Sequence, residues 1–139
     1  MLTDIDIKII KKGPEKDLAQ LYREAGWLKP SESDDLAFLK TVIQNSAVFV
    51  GVFYNEKMIG MGRALSDLSS DAYIQDVTVL KAYRGNGIGK KIIQLLIRAL
   101  KEKRVDWIGL IAEPGTQPFY DKIGFVPLKG YIPLKYEDH

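Results

Sequence analysis

Apolar positions along the chain alternate between a two-residue and a three-to-four-residue rhythm. Ile5, Ile7 and Ile9 stand between polar neighbours, the period of a half-buried strand. Lys11-Lys12-Gly13-Pro14 breaks that run, and Pro14 suits a first helical position. Leu18, Leu21, Tyr22 and Ala25 then share one helical face, with Gly26 as a C-terminal cap. Trp27 to Pro30 reads as a connection, and Ser31 with Asp34 as a capping box with Asp in place of Glu or Gln. Leu36, Leu39, Val42 and Ile43 form a second helical face. Ala47 to Tyr54 is a continuous apolar strand, Asn55-Glu56-Lys57 a turn and Met58 to Ser66 a returning strand. Gly60 and Gly62 lie on one face of that strand and mark a bulge or a close approach. After the polar loop Asp67 to Asp71, Ala72 to Leu80 reads as a third strand.

A long amphipathic helix follows, roughly Gly87 to Lys103, with Ile88, Ile92, Leu95, Leu96, Ala99 and Leu100 inward. Trp107 to Ala112 is a buried strand, so strand, helix and strand form a right-handed β-α-β unit. Pro114 and Pro118 allow only a loop or a first helical turn, so the next helix is short and Gly124 ends it. Phe125 to Leu128 and Tyr131 to Tyr136 read as a closing hairpin around Lys129-Gly130. The order β-α-α-β-β-β-α-β-α-β-β predicts an α/β fold. Its mixed central sheet is an antiparallel meander followed by β-α-β, with helices on both faces.

The turn between the third strand and the long helix carries candidate chemistry. Tyr83-Arg84-Gly85-Asn86-Gly87-Ile88-Gly89-Lys90-Lys91 places closely spaced glycines at a helix start. Backbone N–H groups there lack intrahelical partners and the dipole is positive, so an anion is favoured. Arg84, Lys90 and Lys91 crowd the same end, where exposed cations are disfavoured by roughly 0.3–1 kcal/mol each. A bound polyanion reverses that sign; the alternative is lysines that simply point into water. The P-loop pattern fails, since Arg84 stands at its first Gly and Lys91 at its Ser/Thr. The dinucleotide fingerprint fails too, with Lys90 at its third glycine.

With 139 residues, 46% hydrophobic and 27% charged, the chain reads as one domain, 1–139, with a proper core. A net charge of +2 makes no case for a nucleic-acid binder. The absence of cysteine removes disulfides, thiolate metal sites and a cysteine nucleophile. One histidine, His139, leaves no histidine-based metal site or Ser-His triad. The start lacks an apolar signal core and no apolar run reaches membrane length, so a cytoplasmic protein without membrane contact is expected.

The pattern R-x-x-G-x-G from Arg84 to Gly89, after Asp-Val-Thr-Val at 76–79, resembles the acyl-CoA pyrophosphate loop of the GNAT superfamily of N-acetyltransferases. Phe119-Tyr120-x-x-x-Gly124-Phe125 adds to the resemblance. It implies acetyl-CoA as co-substrate without a metal, because a nest of N–H groups neutralises the phosphates itself. By the same resemblance, backbone groups of Gly85, Asn86, Gly87, Ile88, Gly89 and Lys90, with Arg84, grip the pyrophosphate. Val77, Thr78 and Val79 bond the pantetheine arm like an added strand, in a slot where neighbouring strands diverge.

The resemblance implies direct attack by an amine, with Tyr120 protonating the leaving thiolate; the alternative for Tyr120 is a core aromatic with a satisfied hydroxyl. An alkyl ammonium is about 3.4 units from neutral at pH 7, roughly 4.6 kcal/mol. Some relatives meet that cost with a glutamate where this chain has Gln75, which cannot accept a proton. Asp76 is adjacent, but regular alternation points it to the opposite face, where it orients structure. The family's frequent asparagine at the start of the last helix is replaced by Gly115-Thr116-Gln117.

Tyr22, Trp27, Phe38, Asp67 and Asp71 are candidate linings for an acceptor, or else core aromatics and loop aspartates. Leu21 to Trp27 and Gly62 to Asp67 look like stretches of arylalkylamine-acetylating members, which suggests a small-molecule amine. A protein or peptide acceptor and a non-catalytic CoA-binding module are the alternatives. Homodimers are common in the family.

Overall fold

The alternating run from residue 48 to 79 folds as an antiparallel meander because its turns supply the backbone geometry it needs. In this computed structural model, which describes residues 2–28 and 36–138, β2 (Val48–Tyr54) and β3 (Lys57–Ser66) are joined by Asn55-Glu56. Both turn residues have positive φ, 50° and 66°, as a two-residue hairpin of matching twist requires. β4 (Asp71–Val79) adds to β3, and β1 (Asp6–Ile9) pairs with the other edge of β2. A single turn of 3-10 helix, Lys81–Tyr83, leads to α3 (Ile88–Glu102), which crosses over to β5 (Trp107–Gly109), parallel to β4. The sheet order is β1-β2-β3-β4-β5, the mixed sheet expected from the pattern.

Helices pack on both faces, and a bulge sets which side chain meets which helix. Val52 pairs with Gly60 but Phe53 with Met58, so β3 spends an extra residue and Met58 and Gly62 face opposite ways. On one face Met58 reaches α1 (Glu15–Glu24) and α2 (Ala37–Asn45). A Cβ on Gly13 would lie 3.5 Å from Met58 Cε and 3.8 Å from Ile43 Cδ1. The Asp17 carboxylate of α1 also accepts from the Met58 N–H, at 3.0 Å. On the other face α3 lies against Gly62, where a Cβ would come within 2.5 Å of Ile92 Cγ2. The close approach flagged by Gly62 is therefore that of a helix. Ile92, Ile93, Leu96 and Leu100 are fully buried beneath the sheet.

The observed elements correct several expectations. Pro14 is the N-cap of α1 in extended conformation, and the helix starts at Glu15. Gly26, with φ +83°, does follow the helix end as a left-handed cap. The strand expected over Trp107 to Ala112 stops at Gly109. Phe125 to Leu128 and Tyr131 to Tyr136 form no strands, although Tyr131 N–H does bond Leu128 O at 3.1 Å across the expected turn. Two short strands alone are marginal in water, and Pro127 and Pro133 remove ladder donors from them. The Lys29-Pro30 connection, the Ser31–Asp34 capping box and His139 lie outside the described residues. The chain divides into two compact units, Met1–Gly109 and Leu110–His139. Among the described residues no helix is long and apolar enough to cross a membrane.

Candidate active site

The first unit builds its site where β4 stops behaving as a regular strand. Met61 pairs with Thr78 but Arg63 with Gln75, so Gly62 faces two residues, Asp76 and Val77. Asp76 takes up the extra residue with φ +56°, a left-handed conformation that aspartate tolerates better than most side chains. Simple alternation no longer applies there, and the carboxylate turns to two donors. Asp76 Oδ2 accepts from Arg63 Nε and from the Tyr22 hydroxyl, each at 2.8 Å. Arg63 Nη1 also reaches Ser46 Oγ at 3.5 Å. Burial first, and the Asp76 carboxylate second, push the Tyr22 phenol pKa well up from 10.0. The cluster thus ties α1, the end of α2 and β3 to the bulge.

Beyond the ladder with β5, β4 has a free edge. β4 and β5 pair only from Asp71↔Trp107 to Tyr73↔Gly109. From Ile74 to Val79, β4 has no partner on that side among the described residues. Met61 and Gly60 hold Thr78 and Val79 on the opposite side. Val77, Thr78 and Val79 therefore lie on an edge of β4 that no strand covers among the described residues.

The uncovered edge of β4 runs on toward the glycine turn. Arg84 Nε donates to Val79 O at 3.0 Å, so the arginine is folded back along the strand end. Gly85 and Gly87 have φ +84° and +74°, and a Cβ on either would meet nothing within 4 Å. Their glycines are required by backbone conformation, not by crowding. The first backbone bonds to the turn run the other way, from Lys91 N–H to Gly87 O. Among the described residues, the N–H groups of Gly85, Asn86, Gly87, Ile88, Gly89 and Lys90 have no acceptor. Asn86 braces the turn: its Nδ2 donates to Tyr83 O at 2.9 Å and its Oδ1 accepts from Leu2 N–H at 3.2 Å. Glu24 of α1 accepts from Lys81 N–H at 2.5 Å, fixing the approach to the turn. Lys90 and Lys91 are exposed at the positive helix end.

Tyr120 belongs to the second unit, on α4 (Gln117–Asp121). Phe119 and Phe125 meet its ring edge-on, with centroids 4.9 and 5.7 Å away. Gly124, at φ +112°, turns the chain so that Phe125 N–H returns to Tyr120 O at 3.1 Å. The spacing of the motif therefore makes a small aromatic cage. Burial, and then the Glu113 charge, push the Tyr120 phenol pKa up from 10.0, so the group carries its proton at neutral pH.

The candidate acceptor residues divide. Tyr22 meets Trp27 edge-on at 5.3 Å and Phe38 at 6.5 Å, so the three aromatics do cluster. Asp67 is spent on a turn, accepting from Ser69 N–H at 2.8 Å. Asp71 lies at the start of β4, roughly 16 Å along the strand from Asp76. Gln75 is exposed. The Tyr22–Asp76–Arg63 cluster is a feature that sequence reasoning missed. Its one signal was an acidic residue inside an apolar strand.

A family model described as Acetyltransferase (GNAT) family matches residues 16–125. An uncharacterized N-acetyltransferase, ycf52, of Pyropia yezoensis is 34% identical over 79% of this chain and 63% of its own length. A protein of Glycine max named Histone acetyltransferase TAP1 is 32% identical over 78% of this chain and 50% of its own length. The chain thus spans about three fifths or less of these two relatives. Among solved structures, a GNAT family acetyltransferase from Streptococcus pneumoniae superposes with a TM-score of 0.80 at 23% identity, over 96% of this chain and 98% of the other.

Proposed function

Because the chain belongs to the acetyltransferase (GNAT) family, we propose that it moves an acetyl group from acetyl-CoA to the primary amine of a small molecule. The observation that carries this reading is the pairing of the six unspent N–H groups with the free β4 edge. The nest suits a pyrophosphate, with Arg84, Lys90 and Lys91 supplying positive charge around it. The edge Val77–Val79 suits the amide-bearing pantetheine arm, which would add to it as a strand does. Among the described residues no group of His, Cys, Asp or Glu is placed to hold a metal, and the nest asks for none.

In the proposed reaction the neutral amine attacks the thioester carbonyl carbon and the C–S bond breaks. The sulfur leaves with the bonding pair and takes the phenolic proton of Tyr120. The proton lost by the amine nitrogen returns to the phenolate through water. Asp76 is given no base role, since its Oδ2 already serves Arg63 and Tyr22. The amine enters as its minor neutral form or loses its proton along a water chain, at a cost of roughly 4.6 kcal/mol at pH 7.

Calorimetric titration with acetyl-CoA, with ATP and NAD as controls, tests the site. Micromolar binding, about −8 kcal/mol, is expected for acetyl-CoA alone. No binding to a folded sample would discard the assignment. Tyr120→Phe should keep that affinity and lose on the order of 10²-fold in turnover; a variant with full turnover removes the phenol from the mechanism. The histone acetyltransferase name of the Glycine max relative supports a second reading, a protein acceptor. A thiol-release screen over small amines and lysine peptides separates the two by which class turns over.

A further inference from the structure

The glycine turn is built of residues that do not hold a shape by themselves. Gly85 and Gly87 supply its left-handed conformations, with φ +84° and +74°. Glycine also has the most backbone freedom to lose, so a turn resting on two of them needs an outside constraint. Main-chain bonds do not provide it: among the described residues the N–H groups of residues 85–90 have no acceptor. A nest that its ligand must first order binds more weakly than one already in shape.

Asn86 lies between the two glycines, and its side-chain amide is occupied at both ends. Nδ2 donates to Tyr83 O at 2.9 Å and to Arg84 O at 3.4 Å. Oδ1 accepts from Leu2 N–H at 3.2 Å, a contact that spans 84 residues of sequence. Both anchors are themselves tied to the sheet. Tyr83 ends the 3-10 turn, and its ring packs 5.7 Å from that of Tyr54, the last residue of β2. Leu2 leads into β1, which pairs with β2. Asp4, with φ +62°, bends the segment between Leu2 and β1. The amide thus fixes the middle of the turn to two lengths of chain that both lead back to β2. A carboxylate in its place would lack the donor, and an ammonium the acceptor.

We propose that the Asn86 side chain is a positioning residue for the pyrophosphate, and that residues 2–4 belong to the cofactor site through it, a role that rests on the acetyl-CoA reading of the nest. The side chain itself meets no ligand atom, since its amide is already spent on Tyr83, Arg84 and Leu2. It holds Gly85 and Gly87 in the conformations the nest needs before the ligand arrives. Without it the turn must be ordered on binding, and that cost falls on affinity. The attack on the thioester and the proton from Tyr120 are unaffected, so KM for acetyl-CoA rises while kcat stays near the parent value.

Two variants break the clamp from opposite ends. Asn86→Ala removes every side-chain contact. Asp4→Val leaves the turn untouched and draws Leu2 away, since a β-branched residue resists φ +62°. Calorimetric titration with acetyl-CoA should show affinity about tenfold lower for Asn86→Ala and about threefold lower for Asp4→Val. Nitrogen-15 relaxation on the ligand-free protein gives the readout that a general loss of stability would not move. Order parameters of Gly85 and Gly87 should fall from about 0.85 to below about 0.6 in both variants and recover with acetyl-CoA, while those of β2 and β3 hold. Variants that bind acetyl-CoA as the parent does, or glycines that stay rigid in both, would overturn the inference. A parent protein that binds no acetyl-CoA would sink the reading of the nest itself, and the clamp's role with it.

Discussion

Asp76 shows how much a single residue can tie together when it leaves the regular backbone. Its left-handed φ of +56° turns one carboxylate oxygen to both Arg63 and Tyr22, whose own elements are distant in sequence. The Arg63 and Asp76 side chains are only 16% and 23% exposed, so neither is easily re-solvated if the other is removed. Asp76→Asn should cost about 1–3 kcal/mol in a urea melt. The phenol adds a pH signature. Burial, and then Asp76, raise the folded-state pKa of Tyr22 above the 10.0 of an unfolded chain. Above about pH 10 the unfolded chain sheds a proton that the folded one keeps, so stability present at neutral pH is lost as pH rises. Tyr22→Phe should shift the urea midpoint down at pH 7, by about 1 kcal/mol. It should also make the alkaline decline shallower. A parallel decline in both proteins would remove Tyr22 from it.

At the scale of elements, α3 is set against the sheet by two glycines, Gly62 on β3 and Gly87 at the helix start, that act for different reasons. Gly62 is short of space, since a Cβ would lie 2.5 Å from fully buried Ile92. Gly87 has space but needs φ +74°. Gly62→Ala should lower stability by about 1–3 kcal/mol through overpacking and leave acetyl-CoA affinity near the parent value. Gly87→Ala should cost about 1 kcal/mol through backbone strain and weaken acetyl-CoA binding markedly. Melts and titrations on both variants check the contrast. The meander, the crossover and the glycine turn were legible in the sequence because each rests on local period or local backbone need. The uncovered edge of β4 and the bulge were not, because they depend on which strand pairs with which residue. Alternation placed Asp76 on the wrong track for that reason: Gly62 opposite two residues is a fact about the partner strand.

At the scale of the whole molecule, the sequence pointed to a closing hairpin over Phe125 to Leu128 and Tyr131 to Tyr136, and no strand forms there because Pro127 and Pro133 remove ladder donors. The sheet of the first unit ends at β5, whose last paired residue is Gly109. Trp107 offers a way to watch this region. Its ring packs at 5.2 Å from Tyr73, and a Cβ on Gly109 would clash with it. The indole therefore sits beside the last paired residues of β4 and β5, where the uncovered edge of β4 begins. The chain's only other tryptophan is Trp27, so Trp27→Phe leaves a single emitter at that point. Trp107 then serves as an optical gauge: acetyl-CoA binding along the free edge of β4 should shift its emission to the blue in a saturable way.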